Sequence, residues 1–119
     1  MGPLRLKRSL EYNSRVYHYA IGLKQRYRYE IADVFLKSVK AAEDRIFKSN
    51  AIGTSVPYLL LGQKIVLKEH YFKSGPATYC LIYEITDDNV WLISLWHGEG
   101  KRRSADLLRL WTRSDGSRE

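Results

Sequence analysis

The chain has 119 residues and a mass of 13.9 kDa, room for one domain and too little for two. Hydrophobic residues make up 45% of it, enough to fill a core, which excludes a disordered tail. Lys and Arg number 20 against 13 Asp and Glu, and the net charge of +7 favours an anionic partner: nucleic acid, a membrane surface or an acidic protein.

At the N-terminus, Leu4-Arg5-Leu6-Lys7 alternates apolar and basic, the period of a half-buried strand. No hydrophobic stretch with a cleavage site follows Arg5-Leu6-Lys7-Arg8, which argues against a secretory signal and for a cytoplasmic protein. Ser9 is placed to cap a helix, with Glu11 in its first turn. Leu10, Tyr17 and Ile21, with Val16, Ala20 and Leu23 alongside, form the apolar stripe of that helix. His18 has no metal-ligand partner four residues on and reads as a surface residue. Gln25-Arg26-Tyr27-Arg28 reads as a junction. A second stripe, Ile31, Val34, Phe35, Val39, Ala42, Ile46 and Phe47, has the spacing of an amphipathic helix. The two segments together predict an αα-hairpin.

Gly53, Pro57 and Gly62 punctuate residues 50–63, and a loop is expected there. The period then changes to two. Lys64–Phe72, Ala77–Thr86 and Asn89–His97 are rich in β-branched and aromatic residues, and their separators are short enough for hairpins. This predicts an antiparallel meander of three strands. The single cysteine, Cys80, lies in the middle strand and reads as a small buried hydrophobe. It excludes an intramolecular disulfide framework and a multi-cysteine zinc site, and it suits a reducing compartment.

Helical spacing returns in Ala105, Leu107, Leu108 and Trp111, with Ser104 as cap. A helix over Ser104–Arg113 is expected to pack weakly on the sheet, and Asp115–Glu119 to fray. The expected fold is α+β: one domain over residues 1–113, β-α-α-β-β-β with two helices on a small antiparallel sheet and a short C-terminal helix, followed by a frayed tail over 114–119. No apolar run reaches the roughly 20 residues of a membrane span. There is no Gly-rich phosphate loop, HExxH or Gly-x-Ser-x-Gly elbow, so ATPase, zinc-protease and α/β-hydrolase readings are dropped. No metal and no cofactor are expected.

The charge is uneven. Residues 1–50 carry 11 basic and 5 acidic residues, residues 51–98 carry 3 and 4, and residues 99–119 carry 6 and 4. A solvated helical face would show the same excess. His97 can be a general base, since imidazole titrates near neutrality, or a strand-end histidine bonded to nearby backbone. Lys64, Lys68 and His70 share a strand face by period two. With His97 they could form an RNA-cutting cluster; alternatively the lysines protect an edge strand. Tyr12, Tyr17, Tyr19, Tyr27 and Tyr29 crowd the helical hairpin with Arg15, Arg26 and Arg28, a composition shared by interface anchors and ordinary packing. Lys101, Arg102 and Arg103 follow His97-Gly98 and can grip an anionic target, or simply solvate the start of the last helix.

In element order and residue pattern the chain resembles the RelE/ParE superfamily of type II toxins, of the plasmid-stabilisation kind. The resemblance rests on Pro3-Leu4-Arg5-Leu6, on Ile31-Ala32-Asp33-Val34-Phe35, on Leu81-Ile82-Tyr83-Glu84, and on Val90 to Gly98 followed by Lys101-Arg102-Arg103, over roughly the first 103 residues. It implies a bacterial growth-inhibiting toxin that forms a hetero-oligomer with a cognate antitoxin. RelE-like ribonucleases place arginines on the two central strands, where this chain has Cys80 and Ser94. The ParE side is therefore implied: a binder of an essential target, by resemblance DNA gyrase. The alternatives are a RelE-like ribosome-dependent mRNA endonuclease with His97 as base, and a basic nucleic-acid-binding module. Lys64, Lys68, His70, Lys101, Arg102 and Arg103 are the expected target contacts. Tyr17, Tyr27, Arg28 and Trp111 are the expected antitoxin contacts.

Overall fold

The computed structural model describes residues 4–60 and 63–98. Gly62, the cations Lys101, Arg102 and Arg103, the helix expected over Ser104–Arg113 with Trp111, and the tail over 114–119 lie outside them. The described elements are β1 (Arg5–Arg8), α1 (Leu10–Arg26), α2 (Tyr29–Lys48), a 3₁₀ turn (Asn50–Ile52), β2 (Thr54–Leu60), β3 (Gln63–Ser74), β4 (Ala77–Ile85) and β5 (Asn89–His97). Two helices pack on a five-stranded sheet of order β1-β5-β4-β3-β2, an α+β arrangement.

Ser9 caps α1 as expected: its Oγ accepts from the Tyr12 N–H at 2.9 Å and donates to the Ile93 carbonyl at 2.7 Å. Lys24 and Arg26 fall in the last turn, where cations complement the exposed carbonyls. The inward side of α1 is set by Tyr12, Val16, Tyr19, Ala20 and Leu23. Leu10 and Tyr17, expected on the buried stripe, are 76% and 63% exposed. The Ser9 cap and the Tyr12 hydroxyl bond to Glu43 hold the helix rotated away from that stripe. α2 buries Ala32, Phe35, Val39, Ala42 and Ile46, and leaves Ile31, Val34 and Phe47 at its margins.

Two features of the sheet depart from the expected antiparallel meander. The segment read as a loop holds a fourth antiparallel strand, β2, paired with β3 from Thr54↔Glu69 to Leu60↔Gln63. Pro57 does not prevent this, because β2 is an edge strand and a proline there need not supply a ladder donor. Val56 and Tyr58 on either side of Pro57 are buried, the period-two signal that the proline obscured. The sheet is also mixed: β1 runs parallel to β5, Arg5↔Asn89 to Arg8↔Leu92, after a crossover through both helices.

Both faces of the sheet are apolar. The helix-side core joins Tyr12, Phe35, Val39, Ala42 and Ile46 to Phe72, Tyr79, Leu81, Tyr83, Val90, Leu92 and Leu95. The opposite face gathers Val56, Tyr58, Leu67, Cys80, Ile82 and Ile93, with Ile65, Trp91 and Trp96 packed beside them. On that face the buried Glu69 accepts hydrogen bonds from Tyr58 and from Tyr71, the latter at 3.0 Å. Pairing shifts between Ile82↔Ser94 and Tyr83↔Leu92, so Ile93 is the extra residue of a bulge.

One partly buried ion pair, with Glu43 buried and Arg8 exposed, ties three elements together. Arg8 on β1 donates to Glu43 on α2 at 2.6 Å, and the Tyr12 hydroxyl on α1 donates to the same carboxylate at 2.6 Å. Burial, with the adjacent Glu43 charge, pushes the Tyr12 phenol well above its ordinary range, so it stays a donor.

Candidate functional site at the end of the last strand

β1 ends opposite Leu92, so the outer edge of β5 beyond that point has no neighbouring strand among the described residues. α1 closes it with side chains. Following the Ser9 bond to Ile93, the Arg15 Nε donates to the Leu95 carbonyl at 2.5 Å, and the Tyr19 hydroxyl accepts from the His97 N–H at 3.0 Å. The Arg15 guanidinium also lies 3.7 Å over the Trp96 ring. These bonds occupy backbone groups that would otherwise offer an exposed strand edge, and they fix His97 at the strand end.

His97 stands in a row of rings. Register places Phe72 opposite Tyr79 and Tyr79 opposite His97, all on the helix side of the sheet. Ring centroids are 5.7 Å apart for Phe72 and Tyr79 and 5.1 Å for Tyr79 and His97, with Tyr19 at 5.6 Å from Tyr79. A cavity of about 330 Å³ opens beside this row, lined by Leu23, Arg26, Tyr27, Ile31, Ser74, Pro76, Ala77, Tyr79 and His97. It lies between the α1–α2 junction and the β3–β4 turn. Burial, and secondarily Tyr19, raise the Tyr79 phenol pKa, while Arg26 opposes the rise. Gly98 then takes φ +79° and donates its N–H to the Thr78 carbonyl at 2.6 Å, turning the chain at the strand exit. A glycine meets that conformation without strain.

The expected RNA-cutting cluster does not assemble. Lys68 lies opposite Tyr83, four residues and about 13 Å along β3 from the Phe72–Tyr79–His97 row. Lys64 pairs with Leu59 at the far end of the strand. His70 shares the helix-side face but stacks on Phe72, 6.5 Å between ring centroids, one strand removed from Tyr79 and two from His97. Burial lowers the His70 pKa and nearby Arg45 lowers it further. Cys80 and Ser94 on the central strands are both fully buried. Among the described residues no carboxylate lines the cavity around His97.

The expected antitoxin contacts separate into two places. Tyr17 lines an apolar groove of about 390 Å³ between the helices, with Val16, Ala20, Ile21, Tyr29, Ala32 and Leu36 among its walls and Lys24 and Asp33 at its margin. Tyr27 lines the His97 cavity instead, and Arg28 occupies the N-cap position of α2 without a side-chain capping bond. Three of the eleven cations in residues 1–50, Lys24, Arg26 and Arg28, lie around the junction. Along α2, Lys37 and Lys40 are paired with Asp33 and Asp44. Sequence reasoning missed Tyr79 as the neighbour of His97 and Leu36 as a groove residue. The separator at 73–76 brings Phe72 level with Tyr79, but the separator at 87–89 alone would put Trp96 opposite Tyr79; the bulge at Ile93 shifts the register and brings His97 there instead.

No protein-family model matches the chain, and no curated protein or solved structure matches it. Among the described residues no group of three or more His, Cys, Asp or Glu side chains is placed to hold a metal. No described helix is long and apolar enough to cross a membrane.

Proposed function

We propose that this chain is the toxin of a type II toxin–antitoxin pair, ParE-like, which stops growth by binding an essential target and is silenced by a cognate antitoxin. The observation that carries the proposal is the interhelical groove. Tyr17 and Tyr29 are 63% and 65% exposed along an apolar channel beside Lys24, a surface suited to cover by a partner. An amphipathic antitoxin segment with apolar anchors and acidic flanks matches its chemistry.

Binding is favoured over RNA cleavage by the surroundings of His97. Its neighbours are the Tyr19 and Tyr79 rings, and Lys64 and Lys68 lie well away along β3. The central-strand positions that would carry transition-state cations hold the buried Cys80 and Ser94. By the resemblance, the target is DNA gyrase. Purified chain added to a gyrase supercoiling reaction is expected to stop supercoiling and accumulate cleaved DNA. Unchanged supercoiling, together with cutting of message on translating ribosomes, would assign the endonuclease reading instead.

A further inference from the structure

We propose that the cavity at the end of β5 binds a single nucleotide, with the base against the Tyr79, His97 and Tyr27 rings and the phosphate on the Arg26 guanidinium. This goes beyond the toxin reading and does not depend on it. Three polar groups line the cavity without a side-chain partner among the described residues. Tyr79 lines the cavity, and its hydroxyl, which is not one of the buried polar atoms, makes no hydrogen bond among the described residues. Neither His97 ring nitrogen has one there, and Arg26 makes no ion pair among them. A ligand with an acceptor beside the phenol and an anion beside the guanidinium would give these groups partners, and a charged hydrogen bond contributes more than a neutral one.

The lining selects the ligand. Leu23, Ile31, Pro76 and Ala77 supply apolar wall, and the ring faces supply stacking for a flat π-system. A cation finds no carboxylate among the described lining residues, whereas an anion finds Arg26, with Lys24 and Arg28 close by in the chain. The volume of about 330 Å³ lies at the small end of ligand pockets, room for one ring system with one charged group. A base carrying a phosphate combines these properties. It can come as a free mononucleotide or as the end of a single strand.

The test is isothermal titration of the full chain with AMP, adenosine, inorganic phosphate and a single-stranded tetranucleotide, alongside NMR of the His97 ring. AMP is expected to bind and shift the His97 resonances, with adenosine about tenfold weaker for want of the charged contact. Arg26→Gln, an exposed position, should reduce AMP to the adenosine level and leave adenosine unchanged. Tighter binding of the tetranucleotide than of AMP assigns the site to a strand end, and equal or weaker binding to free nucleotide. The proposal is overturned if AMP leaves His97 unmoved at millimolar concentration, if phosphate alone binds as well as AMP, or if Arg26→Gln changes nothing.

Discussion

His70 sits against Phe72 with its Nε2 buried and bonded to no described group. Its pKa is lowered from the ordinary value of 6.5, first by burial and then by Arg45. The unfolded chain therefore binds the proton more readily than the folded one. The stability held above the unfolded value is lost as pH falls through the lower folded value. His70→Phe removes both the proton site and the unpaired nitrogen. Chemical denaturation at pH 7 and pH 5.5 should show a smaller acid loss in the variant than in the wild type; equal losses would refute this. Gly53 makes a different case. A Cβ there would meet the Tyr83 hydroxyl at 2.6 Å, and that hydroxyl accepts from the Gly53 N–H at 2.9 Å while donating to the Asn50 carbonyl at 2.7 Å. Gly53→Ala should cost about 2 kcal/mol, from strain and displaced hydrogen bonds. Tyr83→Phe introduced with it should recover little of that cost, because the ring carbons Cε1 and Cζ still lie 2.9 and 3.0 Å from the added methyl and both hydrogen bonds are lost.

At the scale of elements, the weak point is the outer edge of β5. β1 covers it only as far as Leu92, and α1 covers the rest through Ser9, Arg15 and Tyr19. Arg15 both reaches the Leu95 carbonyl and lies on Trp96, a combination of planar fork and stacking that lysine cannot reproduce. Arg15→Lys is therefore expected to cost about 1–2 kcal/mol in a denaturation experiment despite keeping the charge. A cost within error of zero would mean that the edge bond contributes nothing. Elements whose sequence signal is local were legible. The Ser9 cap, α2 and the strand β5 lie where the residues place them, because caps, long apolar stripes and aromatic-rich runs act over a few turns. β2 was not legible, since Pro57 reads as a break until the sheet order reveals an edge position. The parallel β1–β5 pairing joins residues more than eighty positions apart, which no local pattern encodes. The rotation of α1 was hidden as well, because it depends on the Tyr12–Glu43 bond between helices. His97 was visible as a candidate, but its setting was not: Tyr79, Arg26 and Tyr27 meet it only through sheet register and the helix junction.

For the whole molecule, charge and apolar exposure coincide at one end of the helical hairpin. Lys24, Arg26 and Arg28 stand near the exposed Tyr27 and Tyr29, while β1 adds Arg5 and Lys7 at the far edge of the sheet. Association with an acidic antitoxin should therefore be fast at low salt and slow steeply as the Debye length shrinks from about 30 Å at 0.01 M to about 8 Å at 0.15 M. Stopped-flow rates that ignore salt over this range would remove the electrostatic part of the proposal. Tyr17→Ala, on an exposed side chain, should weaken the complex by at least about tenfold without lowering stability. The central claim, growth arrest by binding and not by His97 chemistry, is tested most directly by inducing the wild type and His97→Gln side by side at equal expression. The claim predicts that both arrest growth with broken DNA and intact message. Arrest abolished by His97→Gln, with message cleaved only by the wild type, would contradict it.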